Sequence, residues 1–243
     1  MEAQENTFAK EQEVTCPECG KAHKVIMYDR VIAPQQNDLK SKILKGEMFK
    51  FTCEDCGATM PLIYPCLYQD TEKGYMVWFA PASEGTIQNK LAVFNEKAKD
   101  DEEYAKMMKQ YKLRMVTNLN SFVEKLLIFD QDMDDRSIEV QKAMLATQLH
   151  NTTKYKNDDI MGIFFGVTKD KDYTFTVIFE KAGAVTVNCD MDQYYKIYIQ
   201  QKKKFQECTP EGFVLIQSKW GSEQFARIIH ETKPARGRKY RKF

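Results

Sequence analysis

The sequence predicts an α+β fold, and three observations carry that prediction. Two near-copies of one short motif, Cys16-Pro17-Glu18-Cys19-Gly20 and Cys53-Glu54-Asp55-Cys56-Gly57, stand between strand-like runs. The middle of the chain changes to a helical period, with Met115, Leu119, Phe122 and Leu126 on one side. The remainder returns to short alternating segments and then to helices. Together they describe a ribbon-like β module pinned at its cysteines with an inserted helix, a helical middle and a small antiparallel α/β unit.

The cysteine motifs come first because their chemistry is the most specific. Two residues between cysteines let the chain fold into a knuckle with both sulfurs facing one point. Gly20 and Gly57 follow at once, where a sharp turn requires positive φ. Two knuckles supply four thiolates, the tetrahedral donor set of zinc. The candidate ligands are therefore Cys16, Cys19, Cys53 and Cys56. Four cysteines close the coordination shell, so the expected role is structural. Iron is the rival metal, since ligand identity alone does not separate it from zinc. The gap from Cys19 to Cys56 is longer than in an ordinary ribbon and calls for an insertion. His23, four residues after Cys19, is a competing ligand that a complete set of cysteines makes unnecessary.

Residues 1–12 read as disordered and 13–15 as a short strand into the first knuckle. Residues 24–32, rich in Val, Ile, Met and Tyr, read as one strand. The helix that fills the insertion spans 38–46, with Leu39, Ile43 and Leu44 on one face and Gly46 as its stop. A strand over 48–52 enters the second knuckle. Residues 60–68 and 75–79 make a hairpin around a polar loop at 69–74. The stretch 81–100 loses the strand pattern. Acidic residues at 100–103 open helical sequence, as the positive end of the helix dipole favours. A helix then runs through Leu119, Phe122 and Leu126, and a second over 135–150 is capped by Asp134 or Asp135. Residues 160–168, 173–180 and 184–188 form an antiparallel meander with turns at 169–172 and 181–183. Helices close the fold at 191–207 and 220–230. The domain reading is a metal-binding domain over 14–150, an α+β unit over 151–232 and a basic tail over 233–243.

Composition narrows the function classes. The chain has 243 residues, 43% hydrophobic, enough for real cores, and a net charge of +1 that implies no partner in bulk. No apolar run approaches a membrane span. The start is acidic and polar, unlike a signal peptide, and seven cysteines without an export signal point to a reducing, cytoplasmic setting.

Cys66 and Cys189 alternate in phase with apolar neighbours and read as core thiols; Cys208 sits at a helix end. Asp130, Asp132 and Asp134 have the 1-3-5 spacing of a calcium loop. The glycine and the final glutamate of such a loop are missing, so helix capping is the better account. His150 and His230 are lone histidines in helices. No phosphate loop, serine elbow or zinc-protease motif occurs. The tail carries Lys233, Arg236, Arg238, Lys239, Arg241 and Lys242 with Tyr240 and Phe243 between them and no acid, a pattern able to neutralise phosphates and stack on bases. Lys202, Lys203 and Lys204 extend that patch or form a solvated helix face.

Several of these pieces resemble the CpXC family of bacterial proteins over about residues 14–150. They are Cys16-Pro17-Glu18-Cys19-Gly20, the 39–51 segment, the 62–70 stretch, and 113–136 with Phe129-Asp130 and Asp134-Asp135-Arg136. Glu54 stands where the family pattern has a proline in the second pair. That proline is not a ligand. The resemblance implies a zinc site and transfers no catalytic residue. The function expected is a non-enzymatic binding or adaptor protein with a structural zinc site and an unidentified protein partner. The alternatives are an RNA- or DNA-associated protein using the tail, a rubredoxin-like iron redox protein, and an enzyme with an unrecognised site. Neither a membrane nor a small-molecule substrate is inferred.

Overall fold

The structure is a computed structural model that describes residues 8–98, 100–152, 154–168 and 172–232. Among them it is an α+β fold. Contacts divide the chain into two compact units. One is built from the described residues of Met1–Met133 and Lys202–Leu215, the other from those of Asp134–Gln201 and Ile216–Phe243.

The first unit begins with the β module. Strands β1 (Ala9–Thr15) and β2 (Ala22–Tyr28) pair antiparallel, with Val14 opposite His23. Residues 1–7 lie outside the described residues; the disorder expected over 1–12 is corrected for residues 9–12, which belong to β1. Their sequence is polar because this two-stranded sheet leaves Lys10, Glu11 and Gln12 exposed. The strand expected over 24–32 is two strands. β2 ends at Tyr28, and β3 (Arg30–Ala33) joins another sheet. The inserted helix is α1 (Asn37–Leu44), which buries Leu39 and Ile43 and ends before Gly46 at φ 72°. Strands β4 (Lys50–Thr52) and β5 (Thr59–Pro61) form a second antiparallel hairpin.

The rest of this unit is a four-stranded mixed sheet, order β3-β6-β7-β8. β6 (Cys66–Asp70) and β7 (Tyr75–Phe79) form the expected hairpin, although the run from 60 to 68 is split between β5 and β6. β8 (Lys112–Val116) lies parallel to β7, with Met115 opposite Trp78. Met115 therefore belongs to a strand, not to the helix whose period it fits. Asn118 ends that ambiguity: its side chain accepts a hydrogen bond from the Ser121 amide and starts α4 (Leu119–Asp130). The stretch 81–100, where the strand pattern is lost, contains α2 (Glu84–Ala98). Ile87 and Leu91, one turn apart, bury into a core with Met76, Leu113, Met115 and Phe213. α3 (Glu102–Gln110) begins as its acidic opening predicts, with the Asp101 carboxylate accepting from the Glu103 and Tyr104 amides. On α4, Phe122 stacks on Phe79 with ring centroids 5.5 Å apart.

The second unit starts with α5 (Asp135–His150), capped by Asp134, which accepts from the Arg136 amide at 3.0 Å. β9 (Ile160–Val167), β10 (Tyr173–Phe179) and β11 (Gly183–Cys189) make the expected antiparallel meander in the order β11-β10-β9. The expected turn at 169–172 falls largely outside the described residues. Tyr155, Val177 and Phe179 pack with Leu145 and Leu149 of α5. α6 (Met191–Glu207) and α7 (Ser218–Thr232) follow, and α5 packs on α7. At that crossing Gly221 leaves no room for a side chain, since a Cβ there would stand 2.4 Å from the Glu139 carbonyl oxygen. The division by contacts groups α5 with the meander and returns residues 202–215 to the first unit. The sequence pattern alone puts the joint near residue 150.

Candidate metal centre

Each knuckle is the tip of a β-hairpin. Residues 16–20 connect β1 to β2, and residues 53–57 connect β4 to β5. The two tips are built alike. The Cys16 amide donates to the Lys21 carbonyl at 2.9 Å and the Gly20 amide to the Cys16 carbonyl at 2.9 Å. In the second tip the Cys53 amide donates to the Ala58 carbonyl at 2.8 Å and the Gly57 amide to the Cys53 carbonyl at 2.9 Å. Gly20 and Gly57 hold φ of 73° and 74°, the left-handed region that the sequence pattern demands.

These tips bring all four sulfurs within 4.8 Å of one another. The close pairs cross between hairpins: Cys16 Sγ to Cys56 Sγ is 3.7 Å and Cys19 Sγ to Cys53 Sγ is 3.6 Å. Tetrahedral Zn–S bonds of about 2.3 Å would set the sulfurs about 3.8 Å apart, so the cluster fits one four-coordinate ion. A disulfide needs about 2.05 Å, and all seven cysteines are free. Each knuckle gives one buried cysteine, Cys16 or Cys53, and one exposed, Cys19 or Cys56. Cys16 and Cys53 sit in a small apolar core with Phe51, backed by Val14, Val25 and Met60.

The backbone prepares these sulfurs to be thiolates. Amides of Cys19 and Glu18 point at the Cys16 sulfur and, against the effect of burial, pull its pKa down to about 7. Burial works to raise Cys53, but the Cys56 and Asp55 amides reverse it and leave the thiol lowered. The second cysteine of each tip also receives an amide, from Lys21 or from Ala58. Cys19 and Cys56 nevertheless lie above the usual thiol range, raised by burial and by facing sulfurs.

A polar shell surrounds the sulfurs. Lys21 of the first tip forms an ion pair with Asp55 of the second. Asp55 above all, then the Cys19 and Cys53 sulfurs, raise the Lys21 pKa. Lys24, the other cation beside the first knuckle, instead pairs with Glu11 at 2.7 Å. His23 Nε2 lies 3.2 Å from Cys53 Sγ and 3.3 Å from Asp55 Oδ2. An Nε2–H proton would donate to both and hold the Cys53 sulfur in place. His23 thus touches the cluster, and with Cys53 and Asp55 it forms a second group of donor atoms. The tie from Asp55 to Lys21 and His23 escaped sequence reasoning, because nothing local marks contacts between two hairpins.

The CpXC protein family model matches residues 14–142. The chain belongs to the CpXC family. The match takes in both hairpin tips, the mixed sheet and the start of α5. No curated protein and no solved structure matches this CpXC chain.

The other candidates separate clearly. Cys66 is buried in β6, and burial pushes its thiol up to about 12. Cys189 and Cys208 are half-buried in the structure. Of the calcium-like spacing, Asp130 accepts from Lys40 at 2.7 Å and Tyr75 at 3.1 Å, Asp132 from Lys73 at 2.9 Å, and Asp134 caps α5. Each carboxylate is already taken up by protein donors. His150 and His230 are exposed, as are Lys202, Lys203 and Lys204. Lys233, Arg236, Arg238, Lys239, Arg241 and Lys242 lie outside the described residues. No helix among the described residues is long and apolar enough to cross a membrane.

Proposed function

We propose that this is a non-enzymatic binding or adaptor protein whose N-terminal module is fastened by one structural zinc ion at Cys16, Cys19, Cys53 and Cys56. The closure of the site supports this reading: two sulfurs from each hairpin occupy all four tetrahedral positions and leave none for a substrate. Such a centre cross-links two hairpins that hydrogen bonding alone leaves as separate two-stranded sheets. In zinc modules of this size the metal contributes about 10–16 kcal/mol of folding free energy. The free thiols fit a reducing compartment, which we take to be the cytoplasm. Affinity purification from native cells, with and without chelation, tests the adaptor role. The reading predicts a stoichiometric protein partner that is lost when the module is stripped of metal. Purification of the chain alone, under mild conditions in its metal-loaded form, contradicts it.

The exposure of Cys19 and Cys56 favours a second reading, a rubredoxin-like iron centre with an electron path to the surface. Visible colour in protein purified from iron-replete cells decides it. The tail sequence supports a third, binding of RNA or DNA through six cations. With all six on phosphates of a single strand, the log–log salt slope is about −4. Removing residues 233–243 would abolish that binding.

A further inference from the structure

A cavity of about 320 Å³ opens in the first unit between α2 and the sheet strands β7 and β8. None of the four clustered cysteines lines it, and nothing about it depends on the metal reading. Its wall is apolar: Trp78 and Met115 come from the sheet, and Ile87, Leu91 and Phe94 from α2. Trp78 and Phe94 meet edge to face with centroids 5.7 Å apart. Lys90 is the one charged residue of the lining; it is exposed and makes no ion pair among the described residues. A mostly apolar cavity with a few polar groups at its edge is the usual form of a small-ligand site, and here Lys90 is the charged one. The volume stands at the small end of such sites and suits one chain, not a two-tailed lipid.

We propose that this cavity binds a single-chain aliphatic carboxylate, with the chain against Trp78, Phe94, Ile87, Leu91 and Met115 and the carboxylate on Lys90. The wall supplies affinity by taking apolar surface out of water, so each added methylene strengthens binding about fourfold until the cavity is full. Lys90 supplies the choice of headgroup.

Calorimetric titration of the full chain with hexanoate, decanoate and decylamine, below micelle formation, tests this. One decanoate should bind per chain, more tightly than hexanoate and at least about tenfold more tightly than decylamine. Lys90→Glu, at an exposed position, should invert the preference between decanoate and decylamine. Ala82→Phe, exposed on the same wall, should weaken decanoate by about tenfold or more by filling the space. Equal binding of decanoate and decylamine overturns the proposal. So does failure of both to bind, an unchanged preference in Lys90→Glu, or unchanged affinity in Ala82→Phe.

Discussion

Cys19 and Cys53 stand 34 residues apart in the chain, yet their sulfurs lie 3.6 Å apart. No strand pairing joins the hairpins that carry them. What holds this distance is the sulfur cluster together with the Lys21–Asp55 ion pair and the small apolar core around Cys16, Phe51 and Cys53. Changing Cys19 or Cys53 to serine should therefore cost the module most of the roughly 10–16 kcal/mol that a structural zinc supplies. The double change Cys66→Ser, Cys189→Ser should keep the metal. Cobalt substitution reads the difference, because four-sulfur tetrahedral coordination gives a strong visible and charge-transfer spectrum that the single variants lose.

His23 stands beside the four cysteines, with Nε2 3.2 Å from Cys53 Sγ and 3.3 Å from Asp55 Oδ2. His23→Ala should leave one metal per chain and weaken its affinity by about 10–100-fold, the usual effect of removing an outer-shell partner. Competition with a chelator of known affinity measures it. An unchanged affinity would make the contact incidental.

Thiol chemistry should separate Cys66 from the four clustered cysteines. Burial keeps Cys66 protonated, with its pKa pushed up to about 12, so alkylation at pH 8 should leave it intact in the native protein. Cys16, Cys19, Cys53 and Cys56 should resist alkylation with metal bound and react once a chelator is added. Mass mapping of labelled peptides before and after chelation checks both statements.

Gly57 holds φ 74° with nothing within 4 Å of where a Cβ would stand. The cost of Gly57→Ala is therefore backbone strain alone, about 1–2 kcal/mol. Gly57→Asn should cost less, since asparagine tolerates the left-handed region. Denaturant melts of the metal-loaded protein would show that order.

The sequence displayed the elements whose signals are local. The knuckles, α1, α5, α6 and the meander each carry their own spacing, caps or turns. The first half of β1, residues 9–12, stayed hidden because a two-stranded sheet exposes both faces and needs few apolar residues; only 13–15, marked by Val14, read as a strand. Met115 misled because Lys112–Val116 runs straight into a helix of matching period, and only the Asn118 cap divides them. Ile87 and Leu91 of α2 stood in plain view, but polar neighbours masked their spacing. The parallel pairings of β3 with β6 and β7 with β8 have no sequence signature, because nothing local records a crossover. The four sulfurs of the site were legible from spacing and His23 from its place after Cys19; the ties of Asp55 to His23 and Lys21 were not.

The central claim is one metal ion held by four cysteines. Elemental analysis of reduced, chelator-free protein, run beside the Cys16→Ser, Cys53→Ser double variant, tests it most directly. The account predicts one equivalent of zinc per chain in the native protein and loss of it in the variant. Less than about half an equivalent of any metal in the native protein, or full retention in the variant, would contradict it.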